Sequence, residues 1–161
     1  MKVIRIAISL LFLLAATVAL AGNAQQSFDK LKTLAGNWEG NGPDGKPFEV
    51  SYRLTGNGSA LMSEIKAEGD MVSVIHLDGD RLLMTHYCGA GNQPRMQATA
   101  SPDGKTFTFD FLDATNLASP QAGHMHRAVF TIMDADHHNE EWTWSKDGKD
   151  TRELMSLQRK K

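Results

Sequence analysis

Residues 81–96 read Arg-Leu-Leu-Met-Thr-His-Tyr-Cys-Gly-Ala-Gly-Asn-Gln-Pro-Arg-Met. An apolar run ends in a His86-Tyr87-Cys88 triplet. A Gly/Asn/Pro connection then turns the chain back into a second run carrying Arg95. Strand, short polar connection and returning strand make the signature of an antiparallel meander.

The same punctuation extends in both directions. Asn41 to Gly45, Thr55 to Gly58, Gly69-Asp70, Asp78-Gly79, Pro102 to Gly104, Asn116 to Gly123, Asp134 to Asn139 and Asp147-Gly148 are all clusters of turn residues. Together with Gly89 to Pro94 they separate about ten short runs rich in Val, Ile, Thr and Phe. Several runs alternate, as in Phe48-x-Val50-x-Tyr52-x-Leu54 and Phe107-x-Phe109-x-Phe111, and these three Phe are expected to point inward. Asp78-Gly79 and Asp103-Gly104 have the composition of tight hairpin turns. The fold class expected is all-β, a ten-stranded antiparallel up-and-down barrel, since closure removes exposed strand edges. One short helix precedes it, over Gln25 to Leu34, with Ser27 as its cap and Phe28, Leu31 and Leu34 on one face.

Ahead of that helix, Met1 to Ala21 has the three parts of a signal peptide: basic Lys2 and Arg5, an apolar run from Ile6 to Leu20, and a small-x-small end at Ala19-Leu20-Ala21. The run is shorter than the roughly 20 residues of a membrane-spanning helix. Residues 22–161 then form one domain, exported to the periplasm or the medium, with no transmembrane segment after cleavage. The whole sequence carries 17 Lys+Arg against 19 Asp+Glu, and the signal removes two bases and no acid. That balance excludes nucleic acid and an anionic membrane surface as partners. Cys88 is the only cysteine, so no intrachain disulfide forms and the core holds the fold unaided.

Leu34-Ala35-Gly36-Asn37-Trp38-Glu39-Gly40 resembles the Gly-x-Trp opening of the calycin superfamily, the lipocalins, fatty-acid-binding proteins and nitrobindin-like barrels. The helix and ten strands fit the fatty-acid-binding and nitrobindin end of that group. The stretch from His-Tyr-Cys to Pro-Arg-Met is similar to that of exported bacterial lipocalin-like proteins. The resemblance implies that Trp38 plugs one end of the barrel under a basic side chain from a late strand, for which Arg152 is the candidate. It also implies haem held by a late-strand histidine, yet Thr151 to Gln158 contains none; His124 or His126 would have to substitute.

The chemistry-bearing residues give three function classes. A small-molecule carrier would bind an apolar or amphipathic ligand through His86, Tyr87, Cys88, Arg95, Phe109, Trp142 and Trp144, the two indoles sharing one strand face. Arg95 with Tyr87 or Tyr52 is a candidate clamp for a carboxylate, and the competing reading pairs Arg95 with a carboxylate on the neighbouring strand. A metal-dependent enzyme would use His124 and His126, two imidazoles at strand spacing, with His86 or Cys88 completing an open Zn²⁺ site. A structural or interaction protein of the cell envelope would have its barrel filled by side chains. No complete catalytic constellation is present. His137-His138, among Asp134, Asp136 and Asn139, reads as a hydrated turn.

Overall fold

The computed structural model describes residues 24–42, 45–66 and 70–161. The expected signal peptide, Met1 to Ala21, lies outside them. A helix, α1, covers residues 24–32. Ten strands follow: β1 Gly36–Asn41, β2 Pro47–Thr55, β3 Ala60–Lys66, β4 Met71–Asp78, β5 Arg81–Tyr87, β6 Gln93–Ala100, β7 Thr106–Thr115, β8 His124–Ile132, β9 His137–Lys146 and β10 Lys149–Arg159. Each pairs antiparallel with its sequence neighbours, and β1 also pairs with β10, so the sheet closes without an edge. This is the expected all-β barrel, strand for strand. No described helix is long and apolar enough to cross a membrane.

The turn chemistry is shifted from its expected places. Asp147 and Gly148 both take positive φ, 52° and 70°, which a two-residue type I′ hairpin loop requires, and they join β9 to β10. At the β4–β5 hairpin the loop residues are Gly79 and Asp80, since Asp78 pairs with Arg81. Asp103-Gly104 lies within a longer connection, where the Asp103 carboxylate accepts from Ser101 Oγ and Lys105 N.

Strand alternation sends one side-chain set inward. Trp38, Phe107, Phe109, Phe130, Leu61, Ile75, Met84 and Met96 are completely buried there, each such side chain contributing about 1.5–3 kcal/mol of transfer free energy. Helix α1 covers one end of the barrel. Its Phe28 and Leu31, with Leu34 just beyond, join the core, as their helical spacing implies. Ser27 falls inside the helix rather than at its start, so it is not the cap.

Trp38 plugs this closed end. Its Nε1–H donates to Leu34 O at 2.7 Å, and a guanidinium lies over its ring. That guanidinium belongs to Arg159, 4.2 Å from the ring centroid, and not to Arg152. The reason is parity. Met155 and Leu157 are the buried residues of β10, so odd positions face inward and Arg152 faces solvent, 4.0 Å from Glu141.

Candidate functional site

The described interior is not uniformly apolar. Tyr52 on β2 pairs in register with Ser63 on β3, Ser63 with Ser73 on β4, and Ser73 with His86 on β5. All four are buried. They form one belt across four strands, with two small hydroxyls where neighbouring inward positions carry Leu61, Ile65 and Ile75. The opposite wall is β9, whose inward ladder is His138, Glu140, Trp142 and Trp144. The first two are fully buried near the closed end; Trp144 is half-buried toward the opposite end.

Glu140 is the hub. It accepts from the Tyr52 hydroxyl and from Trp142 Nε1–H at 2.9 Å, and His138 Nε2 lies 3.3 Å away. Three donors fix a carboxylate that would otherwise be costly to bury. Burial, followed by the Glu140 charge, raises the Tyr52 phenol well above its ordinary range, so this hydroxyl keeps its proton and donates. His138 stands edge-on to Trp38, ring centroids 4.2 Å apart. His86 shares a 2.9 Å hydrogen bond with Ser73 Oγ and packs 4.9 Å from the Trp142 ring. Burial lowers its pKa to about 4, against a smaller opposing pull from Glu140, so the imidazole is neutral at pH 7.

Three atoms of this interior are buried without a protein partner: Ser63 Oγ, His86 Nε2 and His138 Nδ1. Buried polar groups are almost always satisfied. All three belong to the buried interior and keep unused hydrogen-bonding capacity there.

At the opposite end, the β5–β6 and β7–β8 connections border a surface pocket, the rim cavity, of about 270 Å³ lined by Asn92, Asn116, Gly123, Trp144 and Lys146 among others. Asn92 Nδ2 donates to Gly123 O at 2.8 Å, while its buried Oδ1 has no partner. Gly123 packs flat on Trp144, where a Cβ would overlap the indole ring.

The residues expected at the site fall into three places. His86, Phe109 and Trp142 lie inside, and Trp144 lines the rim cavity. Cys88 is half-buried in the turn after β5, bonded through its backbone to Asn92 and Gly91. Tyr87 is 50% exposed on the outer face. Arg95 is also outside, its Nε–H donating to Asp113 Oδ1 at 2.6 Å and its second nitrogen to Oδ2. Arg95 therefore cannot join Tyr52 in a carboxylate clamp, because Tyr52 lies on the other side of the sheet, and Arg95 with Tyr87 lies on the outer face rather than inside the barrel. The pairing of Arg95 with a neighbouring strand's carboxylate is what the structure contains.

The histidine trio is not brought together either. Among the described residues no three His, Cys, Asp or Glu side chains are placed to share a metal ion. His124 Nδ1–H donates to Ala122 O at 2.9 Å, and its Nε2 lies 3.2 Å from His126 Nδ1, so His124 uses both nitrogens within the protein. Both rings pack on Phe111, at 4.7 and 5.3 Å, in the rim rather than beside His86. The haem expectation meets a similar obstacle, since the buried inward positions of β10 are Met155 and Leu157. The imidazole buried on a late strand is that of His138 on β9, not one on β10.

Sequence reasoning missed His138 and Glu140. His137 does sit in the turn, bonded to Asp134, but His138 begins the inward ladder. The period-two run His138-x-Glu140-x-Trp142-x-Trp144 was the available signal.

No protein-family model matches the chain, and no curated protein matches it in sequence. Two solved structures align with it, of which the first is similar in fold. The crystal structure of Rv2717c from M. tuberculosis is similar over 84% of this chain and 98% of its own, with a TM-score of 0.56 and 18% identity. A structure described as EF1p2_mFAP2b bound to DFHBI aligns over 81% of this chain and 96% of its own, with a TM-score of 0.36 and 13% identity. The first supports the ten-stranded barrel as a known architecture.

Proposed function

We propose that this chain is an exported small-molecule-binding barrel that holds an amphipathic ligand inside, with the rim cavity as its entrance. One observation carries the reading: Ser63 Oγ, His86 Nε2 and His138 Nδ1 are buried in the interior without partners, between aromatic and aliphatic walls. A solid structural barrel gains nothing from orphaned polar atoms, each of which costs about 1–3 kcal/mol when desolvated. A ligand with a polar group and an apolar body satisfies the atoms and covers the walls. Trp144 borders the rim cavity, and Trp142 follows it on the inward ladder of β9.

The test is native mass spectrometry of untagged mature protein, combined with quenching of Trp142 fluorescence by lipophilic probes. A retained organic mass, or saturable quenching that is lost in Trp142→Phe, supports the reading. Empty protein that binds no lipophilic probe counts decisively against it.

A further inference from the structure

Resting on the binding reading, the charge inventory of the interior narrows the ligand's head group. Of the carboxyl, ammonium and guanidinium side chains among the described residues, only that of Glu140 is fully buried. No described Lys or Arg is buried, and only Lys32 and Arg159 are half-buried. Arg159 is already committed at the closed end. Its nitrogens donate to Ala135 O, Ala35 O and Thr33 O, and Trp38 stands between it and His138. Lys146 borders the rim cavity but is exposed to solvent.

We infer that the barrel selects amphipathic molecules whose head group is a hydroxyl or an amine, and discriminates against carboxylates. An ionised carboxylate leaving water needs a cation or several donors to replace its hydration. Here it would meet the buried Glu140 carboxyl and, at His86, an imidazole that burial keeps neutral. A hydroxyl or amine meets the opposite situation. Glu140 retains lone-pair capacity beyond its three donors. His138 Nε2 lies against Glu140, which leaves its buried Nδ1 without a protein partner. Ser63 Oγ accepts or donates as required. His86 Nε2 adds a further position whose role follows the direction of the Ser73 bond. The described interior thus offers acceptor oxygens at Glu140 and no ammonium or guanidinium.

The experiment displaces 1-aminoanthracene from the wild-type mature protein at pH 7.5 with dodecanol, dodecylamine and dodecanoate, three probes sharing one chain. Dodecanol or dodecylamine is expected to compete at least about tenfold more tightly than dodecanoate. Glu140→Gln, checked for native circular dichroism, is expected to narrow that gap. Equal or tighter competition by dodecanoate overturns the head-group inference and leaves the binding reading standing. If neither 1-aminoanthracene nor any of the three binds, the binding reading itself falls.

Discussion

The Arg159 guanidinium covers the Trp38 indole at 4.2 Å while its nitrogens bond three backbone carbonyls, two of them at the end of α1. The two residues are also direct register partners across the β1–β10 seam that closes the barrel. One side chain therefore joins the helix, the seam and the β8–β9 turn. Arg159→Ala is expected to lower stability by about 2–3 kcal/mol, through the lost cation–π contact and charge-assisted bonds. Arg152→Ala, on the outer face, is expected to change it by less than about 0.5 kcal/mol. Urea denaturation of the two variants reads the contrast directly.

What could be read from the chain divides along physical lines. Ten strands and closure were legible because Gly, Asn, Asp and Pro mark turns through local backbone preferences. The facing of Arg95 and Tyr87 was not, because both faces of residues 82–88 carry apolar residues and parity alone leaves the side undecided. Arg159 continues the face of Met155-x-Leu157, but beside Lys160 and Lys161 it reads as part of a solvated basic end. His138 and Glu140 were lost because polar residues beside an Asp-rich turn read as solvated. Their burial depends on Tyr52, 86 and 88 residues away, and no local pattern announces a pairing of that range.

His86 makes the fold sensitive to acid. Its native pKa is lowered to about 4, chiefly by burial, whereas the unfolded imidazole titrates near 6.5. Between those values the unfolded chain binds a proton that the native protein does not, so stability falls as pH drops from 6.5 to 4. The loss attributable to this group is roughly 2–4 kcal/mol. His86→Gln removes the titration, and the urea midpoint of that variant is expected to decline less steeply over the same window. Parallel curves for the two proteins would show that His86 is not the group responsible.

The Glu140 hub predicts an unequal response to truncation from its two sides. Tyr52→Phe deletes one of three donors and leaves the carboxylate partly satisfied, at a cost of about 1–3 kcal/mol. Glu140→Ala orphans the Tyr52 hydroxyl and Trp142 Nε1–H and opens a cavity as well, costing about 3–5 kcal/mol. In the double variant the costs are expected to be less than additive, because the residues share one bond. In Tyr87→Phe protein the remaining phenol, Tyr52, is expected to ionise only above the ordinary range. Since the native pKa is raised, the stabilisation it reflects is present below pH 10 and is lost as pH rises through the native value. Ultraviolet titration at 295 nm follows that ionisation.

At the rim cavity, Gly123 is constrained by Trp144 rather than by its own backbone. A methyl group there meets the indole six-membered ring, while Asn92 holds the Gly123 carbonyl from the other side at 2.8 Å. Gly123→Ala must therefore displace the indole or pull the β7–β8 connection off the rim, with a packing cost of about 1–3 kcal/mol. Trp144→Ala in the same chain removes the obstacle, so the double variant is expected to recover stability relative to the sum of the single changes. Because Trp144 borders the rim cavity and precedes Trp142 on the inward ladder, displacement of its indole changes the entrance itself. Probe association rates in Gly123→Ala are then expected to differ from wild type more than the equilibrium affinity does. A change confined to affinity would place the indole at the ligand's resting position instead of along its route.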